Sequence, residues 1–165
     1  MEVKWTPWRM DYIAGPREEG CVLCRVPAEQ EDRENLLVYR GKCCYVLLNL
    51  YPYNNGHLLV APYDHVADLP HLAPDAAAEL IFLAQKGILA LRRALSPHGF
   101  NLGMNLGRVA GAGIAGHLHL HIVPRWQGDA NFMPLIAGTK LIPELLGETY
   151  EKVRRAFEEL ENRAP

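Results

Sequence analysis

The stretch His117-Leu118-His119-Leu120-His121-Ile122-Val123 alternates with period two, and this constrains the fold more than any other part of the chain. On a strand, Leu118, Leu120 and Ile122 face one side while His117, His119 and His121 face the other. The aliphatic face needs cover, so the strand belongs to a sheet with a second layer packed on it. The other face carries three imidazoles, where an exposed polar strand would more naturally use Thr, Lys or Glu. Two chemistries remain open for them. Imidazole nitrogens chelate metals, and a neutral imidazole at pH 7 is a good nucleophile toward phosphorus. At about 3.3 Å per residue, the Cα atoms of His117 and His121 stand about 13 Å apart, too far for all three rings to share one zinc ion on a regular strand. The three histidines must therefore divide the work. Just upstream, the glycine- and alanine-rich loop 107–116 (GRVAGAGIAG) can bring backbone N–H groups close to phosphate oxygens.

The rest of the chain supplies the partners of that strand. Further strands are expected at 36–40 (LLVYR), 44–50 (CYVLLNL), 57–62 (HLLVAP) and 100–106 (FNLGMNL), and short turns between the early ones favour antiparallel pairing. A main helix is predicted over about 75–95, opening at Asp75 after Pro74, with Leu80, Leu83, Gly87, Leu91 and Leu95 near one face. A C-terminal helix near 148–162 aligns Tyr150, Val153, Phe157 and Leu160. The fold class expected is α+β, and the 165 residues suit a single domain. Within it, an aromatic-rich arm (1–20, with Trp5, Trp8, Met10 and Tyr12) precedes a core from about 20 to 126 and a C-terminal extension over 127–165. Residues 26–35 read as a surface loop or short helix.

A net charge of −2 and 22% charged residues argue against wholesale binding to nucleic acid or to an acidic membrane. No apolar run approaches the roughly 20 residues that span a bilayer. The N-terminal MEVKWTPWRMDYIAG has no hydrophobic signal core, so a cytoplasmic location is expected. A disulfide framework is correspondingly disfavoured for Cys21, Cys24, Cys43 and Cys44. Cys43 and Cys44 lie in an apolar stretch and read as packing residues. Cys21-Val-Leu-Cys24 has the spacing of half a zinc site, the alternative being two reduced cysteines packed under the aromatic arm.

HLHLHIV resembles the signature of the histidine triad (HIT) superfamily of nucleotide hydrolases and transferases, and NLYPYNNGHLLVAPYDH at 49–65 resembles that family's strand–turn–strand segment. The resemblance implies a HIT-like antiparallel sheet and a homodimer. It implies that His119 attacks the α-phosphate of an adenine nucleotide or dinucleoside polyphosphate, forming a nucleotidyl-histidine intermediate. His57 would support the nucleophile, and His121 would contact the phosphate or the leaving oxygen. Asn49 falls where the family places a ribose contact, and Asn105 where it places a phosphate-side one. Hydrolase members often carry Gln and then Ser or Thr where this chain has Gly113 and Ile114. Backbone amides of the loop, including Gly111, Gly113 and Gly116, would then have to serve the phosphate.

The segments HIVPRWQGDANFMP and KWTPWRMDYI look most like the bacterial diadenosine tetraphosphate phosphorylases of this superfamily, with Trp126 stacking on a purine or packing at a subunit interface. Arg125 would meet a phosphate or pair at the surface. Related zinc-containing branches imply a closed structural Zn2+ site of Cys21, Cys24, His65 and His117. A hydrolase releasing AMP, acting on dinucleoside polyphosphates or nucleoside phosphoramidates, and a non-enzymatic purine-nucleotide sensor are the competing readings. A hexose-1-phosphate uridylyltransferase fits poorly, because that branch has Gln at the position of His121.

Overall fold

The computed structural model describes residues 20–129 and 144–162. The arm expected over 1–20 therefore lies, apart from Gly20, outside the described residues. Five strands form one antiparallel sheet: β1 (Leu37–Arg40), β2 (Cys44–Leu48), β3 (Leu58–Pro62), β4 (Gly99–Gly103) and β5 (Leu120–Arg125), in the order β1-β2-β3-β5-β4. Helices α1 (Val22–Glu29), α2 (Pro74–Leu95) and α3 (Leu146–Glu161) flank it. No helix among the described residues is long and apolar enough to cross a membrane.

Strands β2 and β3 are buried at every position because both sheet faces are covered there. Cys44, Val46 and Leu48 of β2, with Leu58 and Val60 of β3 and Leu120 and Ile122 of β5, join the side chains of α2 and α3 in one core. Tyr45 and Leu47, with Leu59 and Ala61, point the other way and pack with Leu23 and Val26 of α1. The α2 stripe is as predicted, with Leu80, Leu83, Gly87 and Leu91 buried and Leu95 half-buried. A Cβ on Gly87 would lie 3.2 Å from Ile122 Cδ1 and 3.4 Å from Leu58 Cδ1. Hydrogen alone at that position lets α2 sit down on β3 and β5. On α3, Tyr150, Val153 and Phe157 are buried, and the Phe157 ring stacks on Tyr39 at 5.3 Å.

Three expectations need correction in their bounds. Residues 22–29 form a helix, so Cys21 is its N-cap and Cys24 lies in its first turn, while only the second half of 26–35 is a turn. The regular strand expected at 117–123 begins only at Leu120. Ahead of it, Leu118 N–H is taken by Val66 O (2.6 Å) and the His117 ring by Pro62 O (2.9 Å), so these residues follow the irregular chain after β3 rather than a ladder. Strand β4 likewise ends at Gly103, short of Asn105.

Glu79 on α2 pins the β1–β2 turn. Its carboxylate accepts the backbone N–H groups of Lys42 and Cys44, both at 2.8 Å, and that of Cys43. Burial pushes its pKa up, but these donors outweigh burial and hold it below the ordinary value of 4.5. Replacing Glu79 by Ala is expected to cost about 2–4 kcal/mol in urea unfolding, since three amides lose an ionised acceptor. A depressed folded pKa means the stabilisation is complete above pH 4.5 and fades as the pH falls below it. A Glu79→Gln protein should lack that acid-side loss.

Candidate functional site

The site begins in the turn between β2 and β3. Asn49 N–H bonds His57 O (2.8 Å), Asn49 Oδ1 accepts Tyr51 N–H (2.9 Å), and His57 N–H closes back on Asn54 O (3.2 Å). Gly56 has φ +70°, and a Cβ there would lie 2.4 Å from Leu95 Cδ1. The glycine of the Gly56–His57 pair is thus required by conformation and by space together. It sets down a fully buried His57 against the strand that carries His121.

Hydrogen-bond direction then assigns the imidazole protons. Tyr53 N–H donates to His57 Nδ1 at 3.0 Å, so Nδ1 holds a lone pair and Nε2 carries the hydrogen. That Nε2 lies 2.9 Å from His121 Nδ1 and donates to it, which makes Nε2 the protonated nitrogen of His121. For His119, Nδ1 lies 2.8 Å from His117 O, and a carbonyl can only accept. Nδ1 therefore carries the proton and Nε2 the lone pair. Burial pushes the His119 pKa below the ordinary imidazole value, against the opposing pull of its bond to the His117 carbonyl, so the ring is neutral at pH 7. His119 and His121 meet edge to face, with centroids 4.9 Å apart. The site thus presents a neutral imidazole lone pair beside an imidazole N–H, a nucleophile beside a proton donor.

A second cluster sits at the start of the ladder. Cys21, Cys24, His65 and His117 place their ligand atoms within 4.8 Å of one another. His117 Nε2 donates to Pro62 O, which leaves its Nδ1 lone pair facing the sulfurs of Cys21 and Cys24, each at 3.4 Å. His65 Nδ1 lies 3.3 Å from Cys24 Sγ. A tetrahedral zinc with two thiolates and two imidazoles requires S···N edges of about 3.6 Å, so the group fits such an ion with little adjustment. Burial and the neighbouring Cys21 push the Cys24 thiol above its ordinary value, and a cation bound there would favour loss of its proton. The Pro62 carbonyl supplies the outer hydrogen bond that orients a metal-binding histidine.

The other expected site residues separate. In the loop, the amides of Gly111 and Ala112 are used by Arg108 O and Gly107 O. Among the described residues, the amides of 113–116 have no backbone partner, which leaves Gly113 and Gly116 as donors and removes Gly111. Gly116 also lies against the metal cluster, where a Cβ would be 3.5 Å from His65 Nε2. Asn49 Nδ2 is 3.3 Å from His57 Nδ1, so Asn49 stands beside the support histidine. Arg125 is spent on Asp129 (2.6 and 2.8 Å) and Asn101 Oδ1 (2.9 Å), pairing at the surface rather than waiting for a phosphate. Trp126 is half-buried beside it, its N–H on Asp129 Oδ2. Cys44 packs in the core as expected, and burial pushes its thiol up to about 12. Sequence reading missed Tyr53, Asn54 and Asp129. The YPYNNG segment shows itself as a turn, but nothing in it says which backbone amide meets a histidine.

The profile of the HIT domain matches residues 30–128. The chain belongs to the HIT family. Over 153 residues it is 48% identical to the AP-4-A phosphorylase of Mycobacterium tuberculosis, an alignment covering 88% of this chain and 78% of that protein. A Zn-bound histidine triad family protein from Mycobacterium smegmatis superposes with a TM-score of 0.71 at 26% identity, covering 88% of this chain and 98% of the other. A histidine triad nucleotide-binding protein from Sulfolobus tokodaii gives 0.69 at 29% identity, over 86% and 94%. The chain is an enzyme of this family. Cys21 and Cys24 precede the matched HIT span, so two of the four residues of the Cys21, Cys24, His65 and His117 group lie outside it.

In this HIT enzyme Gly56 combines a positive φ with a crowded side. Gly56→Ala forces an L side chain into a left-handed conformation and against Leu95. It should lower stability by about 2–4 kcal/mol in denaturant unfolding.

Proposed function

We propose that this enzyme is a diadenosine tetraphosphate phosphorylase working through a nucleotidyl-histidine intermediate. The observation that carries the reading is the state of His119: a buried neutral ring with Nδ1–H held by the His117 carbonyl and an Nε2 lone pair available. That lone pair attacks the α-phosphorus, the bond to the polyphosphate oxygen breaks, and His121 Nε2–H protonates the leaving group. ATP departs and adenylyl-His119 remains. An oxygen of hydrogen phosphate then attacks the same phosphorus, its proton returns to His121 Nε2, the P–N bond to His119 breaks, and ADP leaves with both rings restored. The run of amide donors at 113–116 suits an anionic substrate and an anionic acceptor alike, which favours phosphate over water. Asn49, Asn105 and Trp126 are assigned to the nucleotide: Asn49 beside His57, Asn105 just past β4, and Trp126 as an aromatic face for the base. The AP-4-A phosphorylase name of the mycobacterial relative supports the same substrate.

Incubating the protein with diadenosine tetraphosphate, with and without inorganic phosphate, tests this directly. Phosphate-dependent ADP and ATP are expected; AMP as the sole product under both conditions means a hydrolase. His119→Ala should reduce turnover by at least about 10³-fold while still binding nucleotide. A wild-type protein that binds several dinucleotides and turns none over is instead a sensor.

The Cys21, Cys24, His65 and His117 group is assigned to a structural zinc ion, supported by its donor set, its spacing and the Zn-bound mycobacterial relative. Its four protein ligands close the shell, so it steadies the chain around His117. Metal analysis of purified protein should give about one zinc per chain, Cys24→Ser far less, and His119→Ala no change.

The homodimer implied by the family would form across the open edge of β4. There Asn101, Leu102 and Gly103 are exposed, and the Arg92 guanidinium over Phe100 joins this edge to an exposed α2 stripe of Ile81, Phe82 and Leu89. Equilibrium sedimentation should give twice the chain mass, and Leu102→Asp should halve it.

A further inference from the structure

Asn54 is polar, lies in the β2–β3 turn and is only 6% exposed. Its Nδ2 group donates one hydrogen to Pro124 O (3.0 Å) and the other to Asp129 Oδ2 (2.9 Å), using both donors from a single atom. Pro124 lies on β5, the strand that carries His121, so the first bond ties the turn to that strand. The second reaches a carboxylate that is itself fixed, by Arg125 from two nitrogens and by Trp126 N–H (3.2 Å). The Asn54 carbonyl accepts His57 N–H at 3.2 Å. Immediately before it, Tyr53 gives its amide hydrogen to His57 Nδ1 and stacks its ring on the imidazole at 4.9 Å and 26°. Immediately after it, Asn55 Nδ2 reaches Glu144 Oε2 (3.3 Å), and Asn55 Oδ1 lies 3.0 Å from the buried hydroxyl of Thr149 on α3. One turn is thereby fastened to β5, to the segment after β5 and to α3, and its centre is Asn54.

We propose that Asn54 is a positioning residue for the reaction: it holds the turn in the place where the Tyr53 amide meets His57 Nδ1, and so fixes which nitrogen of His121 presents its proton to substrate. The inference rests on the roles given to His57 and His121 above. The relay is directional. If the Tyr53 amide moves away, only the longer contact from Asn49 Nδ2 (3.3 Å) still favours a lone pair on His57 Nδ1, so the hydrogen of His57 can shift onto Nδ1 and its Nε2 then becomes an acceptor. His121 would have to donate from Nδ1 and would face the substrate with a lone pair instead of a proton. The position needs two hydrogens from one short side chain, which neither an acid nor an apolar residue supplies. Aspartate would set a second carboxylate against Asp129 and the Pro124 carbonyl, and leucine would leave both buried acceptors without a donor.

The test compares wild type with Asn54→Ala and Asp129→Ala. The second variant removes the outer partner, along with that carboxylate's bonds to Arg125 and the Trp126 backbone N–H, and keeps the Asn54 bond to Pro124. Long-range 1H–15N spectra of the histidine rings, recorded without substrate, should show His57 and His121 in wild type as single tautomers protonated at Nε2. Asn54→Ala should mix the tautomers of both and lower kcat roughly 10- to 100-fold with KM within about twofold, as loss of alignment does. Asp129→Ala should move both readouts the same way by less, and it decides the matter if Asn54→Ala does not fold. Variants that are less stable but keep single tautomers and wild-type kcat would overturn the proposal. So would a fall in kcat with unmixed tautomers, or a rise in KM at constant kcat. A wild type with the expected tautomers and no turnover of diadenosine tetraphosphate defeats the functional reading alone, and the spectra of the variants still decide the role of Asn54.

Discussion

Among the described residues four histidines have one ring nitrogen held by a main-chain group, and the site follows from three of them, His98 being the fourth and lying elsewhere. The Tyr53 amide holds His57 Nδ1, the His117 carbonyl holds His119 Nδ1, and the Pro62 carbonyl holds His117 Nε2. An imidazole in water exchanges its two tautomers at almost no cost, so a free ring offers no lasting nucleophile and no lasting acid. A main-chain donor or acceptor removes that freedom because its direction is set by the fold. Where a carbonyl holds a nitrogen, the opposite one presents a lone pair; where an amide does, the opposite one presents a proton. The backbone here distributes lone pairs to His119 and to the cysteine-facing edge of His117, and a proton to the His57–His121 relay.

Those main-chain groups hold their positions because the sheet is covered on both faces. Leu58, Val60, Leu120 and Ile122 bury against α2, so their neighbours along β3 and β5 are forced to the opposite face. His121 therefore stands across from Leu59, on the side where α1 packs. A slip of one residue in the β3–β5 register would send the histidines into the helical core and the leucines into the site. The close seating of α2 at Gly87 and the crowded Gly56 beside Leu91 and Leu95 make such a slip costly. Catalytic geometry and core packing are fixed by the same contacts.

Much of this was legible in the sequence, and the reasons differ by element. The α2 and α3 stripes were visible because helical periodicity records burial on one side only, and both helices bury one side. The strands were visible because turn residues punctuate them. The α1 helix was not, since Pro27 and a charged flank mask a short helix that buries only Leu23, Val26 and Pro27. His57, His119 and His121 came from a pattern whose residue types are themselves the chemistry. Tyr53, Asn54 and Asp129 were invisible because they act through a backbone amide, a doubly donating carboxamide and a distant carboxylate, none of which leaves a periodic trace. Gly111 was overread, because a glycine-rich loop signals close approach of backbone without saying which amides the loop consumes in its own turns.

The break in strand regularity at His117 to His119 explains how three identical side chains in strict alternation acquire different surroundings. Had β5 run unbroken from His117, the backbone groups of all three would have been spent on ladder partners. Instead Leu118 N–H turns to Val66 O, and the His117 carbonyl turns to the ring two residues on. His117 then serves two neighbourhoods at once. Its ring joins Cys21, Cys24 and His65, while its carbonyl sets the tautomer of His119. Any displacement of the His117 ring must pass through its own backbone to the nucleophile, with a single rotatable residue between them. The Cys21, Cys24, His65 and His117 cluster and the His119 ring are thus mechanically adjacent. A departure from the sequence pattern of only three residues is enough to give a uniform row of imidazoles three different sets of hydrogen-bond partners.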